Sequence, residues 1–364
     1  MTDQTRLQST GDWEVLFPVD GDMLHDFDGE VREGHLHIHV SISAPGNQVI
    51  KVNGIAIKPY NEEYYAEIAL ESYKNVITIE DESRREELVV YWLKGAANKY
   101  RLSIDDNIWF LKDIAEHRDT YRSIFDNPYL GFLKEVHDTY GTKVHLNLYF
   151  QTDGFDLTQM PDTYKDEWKA QADWLRLTFH ALQNEPDMPY KEAGPAEIRR
   201  DYERVTNEII RFAGAELLDP VTTIHWGEAT LEGCRELRQL GFRGLTGYFY
   251  FVDDRPLVSY YLNKKQIDHL NGRDFWMDHS EDLIFIKIDA VLDRLQMNEI
   301  VPALQRLKHD ANHKGFLELM IHEQYFYPHY FNYQPDYKDK IFAAAKWASE
   351  NGYEPAFPSE CIFE

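Results

Sequence analysis

Apolar and polar residues alternate along much of the first hundred positions. His35-Leu36-His37-Ile38-His39-Val40 alternates strictly, and shorter runs of the same kind follow at 49–52, 64–70, 75–79 and 88–92. Turn-forming residues separate these runs, including Pro45-Gly46-Asn47 and Asn53-Gly54. A period of two, broken by turns at this spacing, predicts antiparallel strands and hence a small all-β sandwich domain over residues 1–98.

From residue 99 the pattern changes. Strands are predicted at 100–106, 143–150, 175–180, 221–226, 243–250, 282–290 and 316–322, with helices between them at 129–139, 195–213, 230–240, 297–310 and 338–351. The clearest helix opens on Pro195 and closes near Gly214, with Ile198, Tyr202, Val205, Ile209 and Phe212 at helical spacing. Strands alternating with helices mean a parallel sheet. Seven of them over residues 99–364 predict an α/β fold, an incomplete (β/α)7 barrel preceded by the sandwich.

Composition narrows the range of partners. A net charge of -25 repels phosphate backbones and anionic lipid, so neither nucleic acid nor a membrane is expected as a partner. No apolar run is long enough to span a bilayer. Cys234 and Cys361 are too few for a disulfide scaffold or a thiolate metal cluster. The opening Met1-Thr2-Asp3-Gln4-Thr5-Arg6 is polar and shows no signal peptide, so a cytoplasmic location is expected.

Several predicted strands end in reactive side chains. The first ends in Asp105-Asp106, the third in His180, the fourth holds His225, and the last ends in His322-Glu323. In a parallel barrel these ends share one face. One Asp and two His make a three-ligand set for a catalytic divalent metal, with zinc the first expectation. A second carboxylate can then take a proton, and a further His can give one. Each residue also has a plainer role open to it. The Asp pair can cap a helix and pair with a cation, and His180 or His225 can be an ordinary core or loop residue. His35, His37 and His39 share one strand face but read as a solvent-facing row opposite Leu36, Ile38 and Val40. His145 is expected inside the barrel, outside the site. Asp289, at the end of the sixth strand, is expected to orient a site residue through a hydrogen bond. Trp109, Trp174, Trp226, Tyr248 and Tyr325, with the aromatic run 325–333, are candidates for lining a sugar cleft.

The order of these motifs resembles the polysaccharide deacetylase family, the carbohydrate esterases with the chitooligosaccharide deacetylase fold. Ser103-Ile104-Asp105-Asp106 looks like that family's first motif, and Leu177-Thr178-Phe179-His180 like the strand leading to its second. Gly227, Thr230-Leu231 and the stretch from Leu237 to Gly241-Phe242 look like the segment after the third. Met320-Ile321-His322-Glu323 looks like the last. The resemblance implies Asp105 as general base, Asp106 as metal ligand and His322 as general acid. Two departures stand out. Position 184 is Asn where the family has a second ligand His, and the family's Arg-Pro-Pro-Tyr-Gly reads Thr223-Ile224-His225-Trp226-Gly227. His225 is therefore expected to replace the missing ligand, with the Asn184 carbonyl as the other option. In the first domain, Val52-Asn53-Gly54, Leu70 and Tyr73-Lys74-Asn75-Val76-Ile77 resemble immunoglobulin-like accessory modules of carbohydrate-active proteins.

Together these features predict a metal-dependent hydrolase that removes an acyl group from a carbohydrate. Asp106, His180 and His225 are the expected ligands, and Trp226, Glu323 and Tyr325 the expected contacts to substrate. Two alternatives remain. One is a glycoside hydrolase pairing Asp105 or Asp106 with Glu323. The other is a non-catalytic carbohydrate-binding protein with a degenerate site.

Overall fold

The computed structural model describes residues 13–44, 48–60, 63–253 and 255–364. The predicted turn at Pro45-Gly46-Asn47 and the polar Met1–Arg6 segment lie outside the described residues. The chain divides into two compact units, the second beginning at Gly95.

The first unit holds two five-stranded sheets. One runs Glu14–Phe17, His35–Ser43, Glu63–Leu70, Pro59–Tyr60, with Glu30–Arg32 also pairing with His35–Ser43. The other runs Met23–Leu24, Arg85–Trp92, Lys74–Glu80, Ile50–Val52, Ile55–Ile57. Leu36, Ile38, Val40 and Ile42 from one sheet and Ile77, Ile79, Leu88 and Val90 from the other belong to a single buried cluster. That is why strict alternation works here: every second residue faces this core. His35, His37 and His39 take the opposite face of their strand, and His37 Nδ1 lies 3.6 Å from the Glu67 carboxylate. Asn53 and Gly54, with φ of 49° and 79°, form the two-residue turn between Ile50–Val52 and Ile55–Ile57. Positive φ at both central positions suits the twist of a hairpin, and Asn-Gly adopts it most readily.

The second unit is α/β, with two main sheets. Leu175–Ala181, Val144–Tyr149, Lys99–Asn107, Phe316–His322 and Ala290–Val291 lie side by side, all parallel. Val221–Thr222, Gly244–Gly247 and Leu283–Lys287 form a second parallel set. Hydrogen bonds link the sheets on both sides. Thr222 Oγ1 donates to the Phe179 carbonyl at 2.6 Å, and the Asp289 amide to the Glu318 carbonyl at 3.0 Å.

The structure departs from the sequence reading in several places. Phe275–Asp278 adds an antiparallel edge to the second sheet, which is therefore mixed. The predicted strand 221–226 stops at Thr222, because Trp226 and Gly227 (φ of 64° and 53°) turn the chain. The predicted strand 282–290 breaks after Lys287 and resumes as Ala290–Val291 in the other sheet. Helices Trp109–Glu116 and Lys264–Leu270 were not evident in the pattern of the sequence.

Along Lys99–Asn107 the side chains divide. Tyr100, Leu102 and Ile104 join the main apolar cluster. Arg101, Ser103 and Asp105 carry a buried polar column. Arg101 is only 1% exposed. Its guanidinium pairs with Glu318 at 2.5 Å, donates to His145 Nδ1 at 2.7 Å and reaches Thr246 Oγ1 at 3.3 Å, so four strands meet on one side chain. Burial, helped by the Arg101 charge, holds His145 well below its ordinary pKa and keeps the ring neutral. Burial drives Glu318 up to about 7 against the opposing pull of Arg101.

Removing one partner of such a pair leaves a buried charge uncompensated, which costs roughly 3–5 kcal/mol. Arg101→Met is therefore expected to lower unfolding stability by about that amount in urea titrations. Adding Glu318→Leu should recover most of the loss, and a double variant no more stable than the single one would contradict the assignment.

Candidate functional site

Two irregularities at strand ends build the site. Against Val144–Tyr149, the register of Lys99–Asn107 shifts between Ile104 and Asn107, so two residues, Asp105 and Asp106, oppose one, Asn147. In a regular strand Asp105 and Asp106 would face opposite sides. The bulge, with Asp106 at a φ of 65°, lets both carboxylates line one pocket. The Asn107 amide ties it down, donating to the carbonyls of Ile104 (2.6 Å) and Asn147 (3.1 Å). A second shift lies one strand over, where Leu148 pairs with Phe179 and Tyr149 with Ala181. The extra residue is His180.

Asp106 Oδ1, His180 and His225 converge. His180 Nε2 is 3.1 Å from Asp106 Oδ1, His225 Nδ1 is 3.3 Å from it, and the two ring nitrogens are 3.2 Å apart. The other nitrogen of each ring is held by a backbone carbonyl. His180 Nδ1 is bonded to Thr223 O, and His225 Nε2 to Asn184 O at 2.9 Å. With those bonds kept, each ring in its neutral form would turn a lone pair inward, the arrangement in which imidazole serves as a metal ligand. The donor set of one carboxylate and two oriented imidazoles fits a divalent cation. Asn184 supplies its backbone carbonyl to hold His225, while its side-chain oxygen accepts from Tyr149 (3.3 Å) and Gln324 (3.1 Å).

The remaining expected residues fall on both sides of the prediction. Asp105 and His322 are neighbours across the Lys99–Asn107/Phe316–His322 ladder, and both line the pocket. Burial raises the Asp105 carboxyl, against the opposing pull of His180 and His322. Burial would also raise Asp106, but hydrogen bonds from His180 and His225 outweigh it and hold that carboxyl well below the usual range. His322 Nδ1 donates to Asp293 Oδ2 at 2.6 Å, leaving Nε2 to the pocket. Burial would lower this ring, yet the Asp293 carboxylate raises it to about 10. Trp226, Tyr248, Tyr325, Tyr330 and Phe331 form walls of the pocket, whose volume is about 400 Å³.

Glu323 is not a substrate contact. It is fully buried, and its carboxylate accepts the backbone N–H groups of Ile108, Trp109 and Phe110 at 2.6, 3.0 and 2.6 Å, capping helix Trp109–Glu116. Trp174 stacks on His137, away from the pocket, and Trp109 packs on His329. Asp289 accepts from the Glu318 amide and orients no residue of the pocket.

The sequence reading missed three residues. Asp293 holds His322. The Tyr149 hydroxyl donates to Asp106 Oδ1 and lies 2.9 Å from His225 Nδ1. Asn147 donates to Asp105 Oδ1 at 2.7 Å. Tyr149 lies next to the last residue of the predicted strand 143–150, so its position was a usable signal; Asn147 lies inside that strand, and Asp293 follows a break that the pattern did not show.

No protein-family model matches the chain, and no curated protein matches it significantly. Among solved structures it is similar to a CE4 family pseudoenzyme from Bacillus anthracis, with 10% identity and a TM-score of 0.36 over 75% of this chain and 69% of that one. It is also similar to a peptidoglycan N-acetylglucosamine deacetylase, with 9% identity and a TM-score of 0.38 over 74% and 90%. A 4-alpha-glucanotransferase from Thermococcus litoralis aligns at 13% identity and a TM-score of 0.47, over 72% of this chain but only 39% of its own. With scores this low, the functional reading rests on the geometry of the site.

The elevated His322 pKa has a signed consequence. Its charge stabilises the fold fully below the ordinary imidazole value of about 6.5, and that contribution is lost as pH rises through about 10. Asp293→Asn is expected to bring the His322 titration, followed by imidazole NMR, down toward about 6.5. An unmoved midpoint would show that Asp293 does not hold the charge.

Proposed function

We propose that the second unit is a metal-dependent hydrolase that removes an acyl group from a carbohydrate, the acetyl group of an N-acetylated amino sugar being the first substrate to test. The observation that carries this reading is the convergence of Asp106, His180 and His225, each ring anchored through its outer nitrogen. These three residues would hold the cation. A bound divalent ion of the zinc class supplies Lewis acidity and lowers the pKa of a water.

The chain's own groups do the rest. Asp105, buried and held by Asn147, takes the proton of the attacking water. His322, kept protonated by Asp293, gives a proton to the departing nitrogen or oxygen. Trp226, Tyr248 and Tyr325 offer ring faces to a pyranose. We read the two sheets of this unit as an incomplete (β/α)7 barrel, and the first unit as an immunoglobulin-like sandwich accessory to it. The glycoside hydrolase alternative loses its second carboxylate, because Glu323 is committed to a helix end.

The test combines metal content with acetate release from N-acetylglucosamine oligomers. Asp106→Ala is expected to lose one equivalent of zinc and essentially all turnover. Asp105→Asn and His322→Ala are expected to keep that equivalent and lose about 10²–10⁴-fold in kcat. Equal zinc in wild type and Asp106→Ala, with no acetate released by either, would reject the hydrolase reading and favour the non-catalytic alternative.

A further inference from the structure

A second set of ligand-type side chains lies outside the pocket. Asp274 precedes the edge strand Phe275–Asp278. Asp289 sits where the chain passes from one sheet to the other. His313 belongs to the loop leading into Phe316–His322. Their side chains are 3%, 1% and 12% exposed. His313 Nδ1 is 3.7 Å from Asp274 Oδ1 and 3.5 Å from Asp289 Oδ1, and the three atoms all lie within 4.8 Å of one another.

Each residue is held from behind. Asp274 Oδ2 accepts the Phe316 amide at 3.0 Å, and Asp289 Oδ2 accepts the Glu318 amide at 2.8 Å. His313 Nε2 donates to the Asn271 carbonyl at 2.8 Å. With that bond kept, the ring in its neutral form would turn a lone pair at Nδ1 toward two carboxylate oxygens, and in its protonated form an N–H. Asp289 Oδ1 and His313 Nδ1 are buried with no hydrogen-bond partner. Buried charges left in this state are costly.

The spacing discriminates between a proton and a metal. An imidazolium N–H donating to a carboxylate closes to about 2.7–2.9 Å. Ligands about 2.0–2.2 Å from a tetrahedral ion stand roughly 3.3–3.6 Å apart. The separations of 3.5 and 3.7 Å lie near the second case and well outside the first. The imidazole favours a first-row ion over magnesium or calcium.

We propose that Asp274, Asp289 and His313 form a structural site for a divalent cation of the zinc class, clamping the two sheets together at the start of the strand that carries His322. This inference does not depend on the function proposed for the pocket. The test uses full-length protein stripped with a chelator and titrated with zinc alone, by calorimetry and thermal unfolding. In the Asp106→Ala/His180→Ala background, one equivalent is expected to bind and to raise the melting temperature by about 3 °C or more. Adding Asp289→Asn should abolish both effects. His313→Gln should weaken binding at least tenfold, and serves where Asp289→Asn does not fold. If the background variant binds no zinc and its melting temperature does not move, the cluster is a salt bridge and the proposal is overturned. Wild-type binding that Asp289→Asn removes and Asp106→Ala leaves untouched would uphold the clamp while rejecting a metal in the pocket.

Discussion

A guanidinium with almost no access to water has to be met by acceptors from its surroundings, and Arg101 obtains them from three other strands. Its five donors cannot be satisfied by one carboxylate. Glu318 therefore has to come from the neighbouring strand, His145 from the strand on the other side, and Thr246 from the second sheet. This demand sets the interior of the second unit. Above Arg101 the column continues through Ser103 and Asn147 to Asp105, so the demand at its base fixes the height at which the carboxylate emerges. Buried ion pairs add little net stability compared with apolar packing. Here the pair acts as a registration device, since sliding either strand would break several bonds at once.

The strand-end Asp105-Asp106, His180, His225 and His322 were legible because reactive residues after apolar runs stand out, and a parallel topology gathers them. The strands themselves were legible from runs of apolar residues, with ends within a few residues of those observed for most of them. What failed were positions where a tertiary partner decides. Glu323 looks like a site residue after an apolar strand, but a helix end more than two hundred positions away claims its carboxylate. The edge strand Phe275–Asp278 has no clear alternation, being held by Leu283–Lys287 rather than by its own pattern. The break at Ile288-Asp289 is invisible in a run that is apolar on both sides of it.

The two bulges show how a single register shift changes chemistry. Strict alternation would give the pocket one carboxylate from the first strand and hide the other. The extra residue at Asp105-Asp106 presents both, and the extra residue at His180 brings its ring to meet them. Asp106 and Trp226 also hold left-handed backbone, an expense in conformational energy concentrated at the pocket. Such conformations persist only where neighbours over-determine them, as the Asn107 amide does here.

The hydrogen bonds beneath Asp105 all run in one direction. Arg101 donates to His145, His145 Nε2 to Thr178, Thr178 to Asn147, and Asn147 to Asp105. The chain begins at a cation that does not release protons and ends at an amide that cannot relay them. It is thus an insulated dipole ladder, positive end toward the carboxylate, and no conduit leads from Asp105 down into the protein interior along it. Under the proposed function, a proton taken up by Asp105 would have no path inward along this ladder and would have to leave on the pocket side.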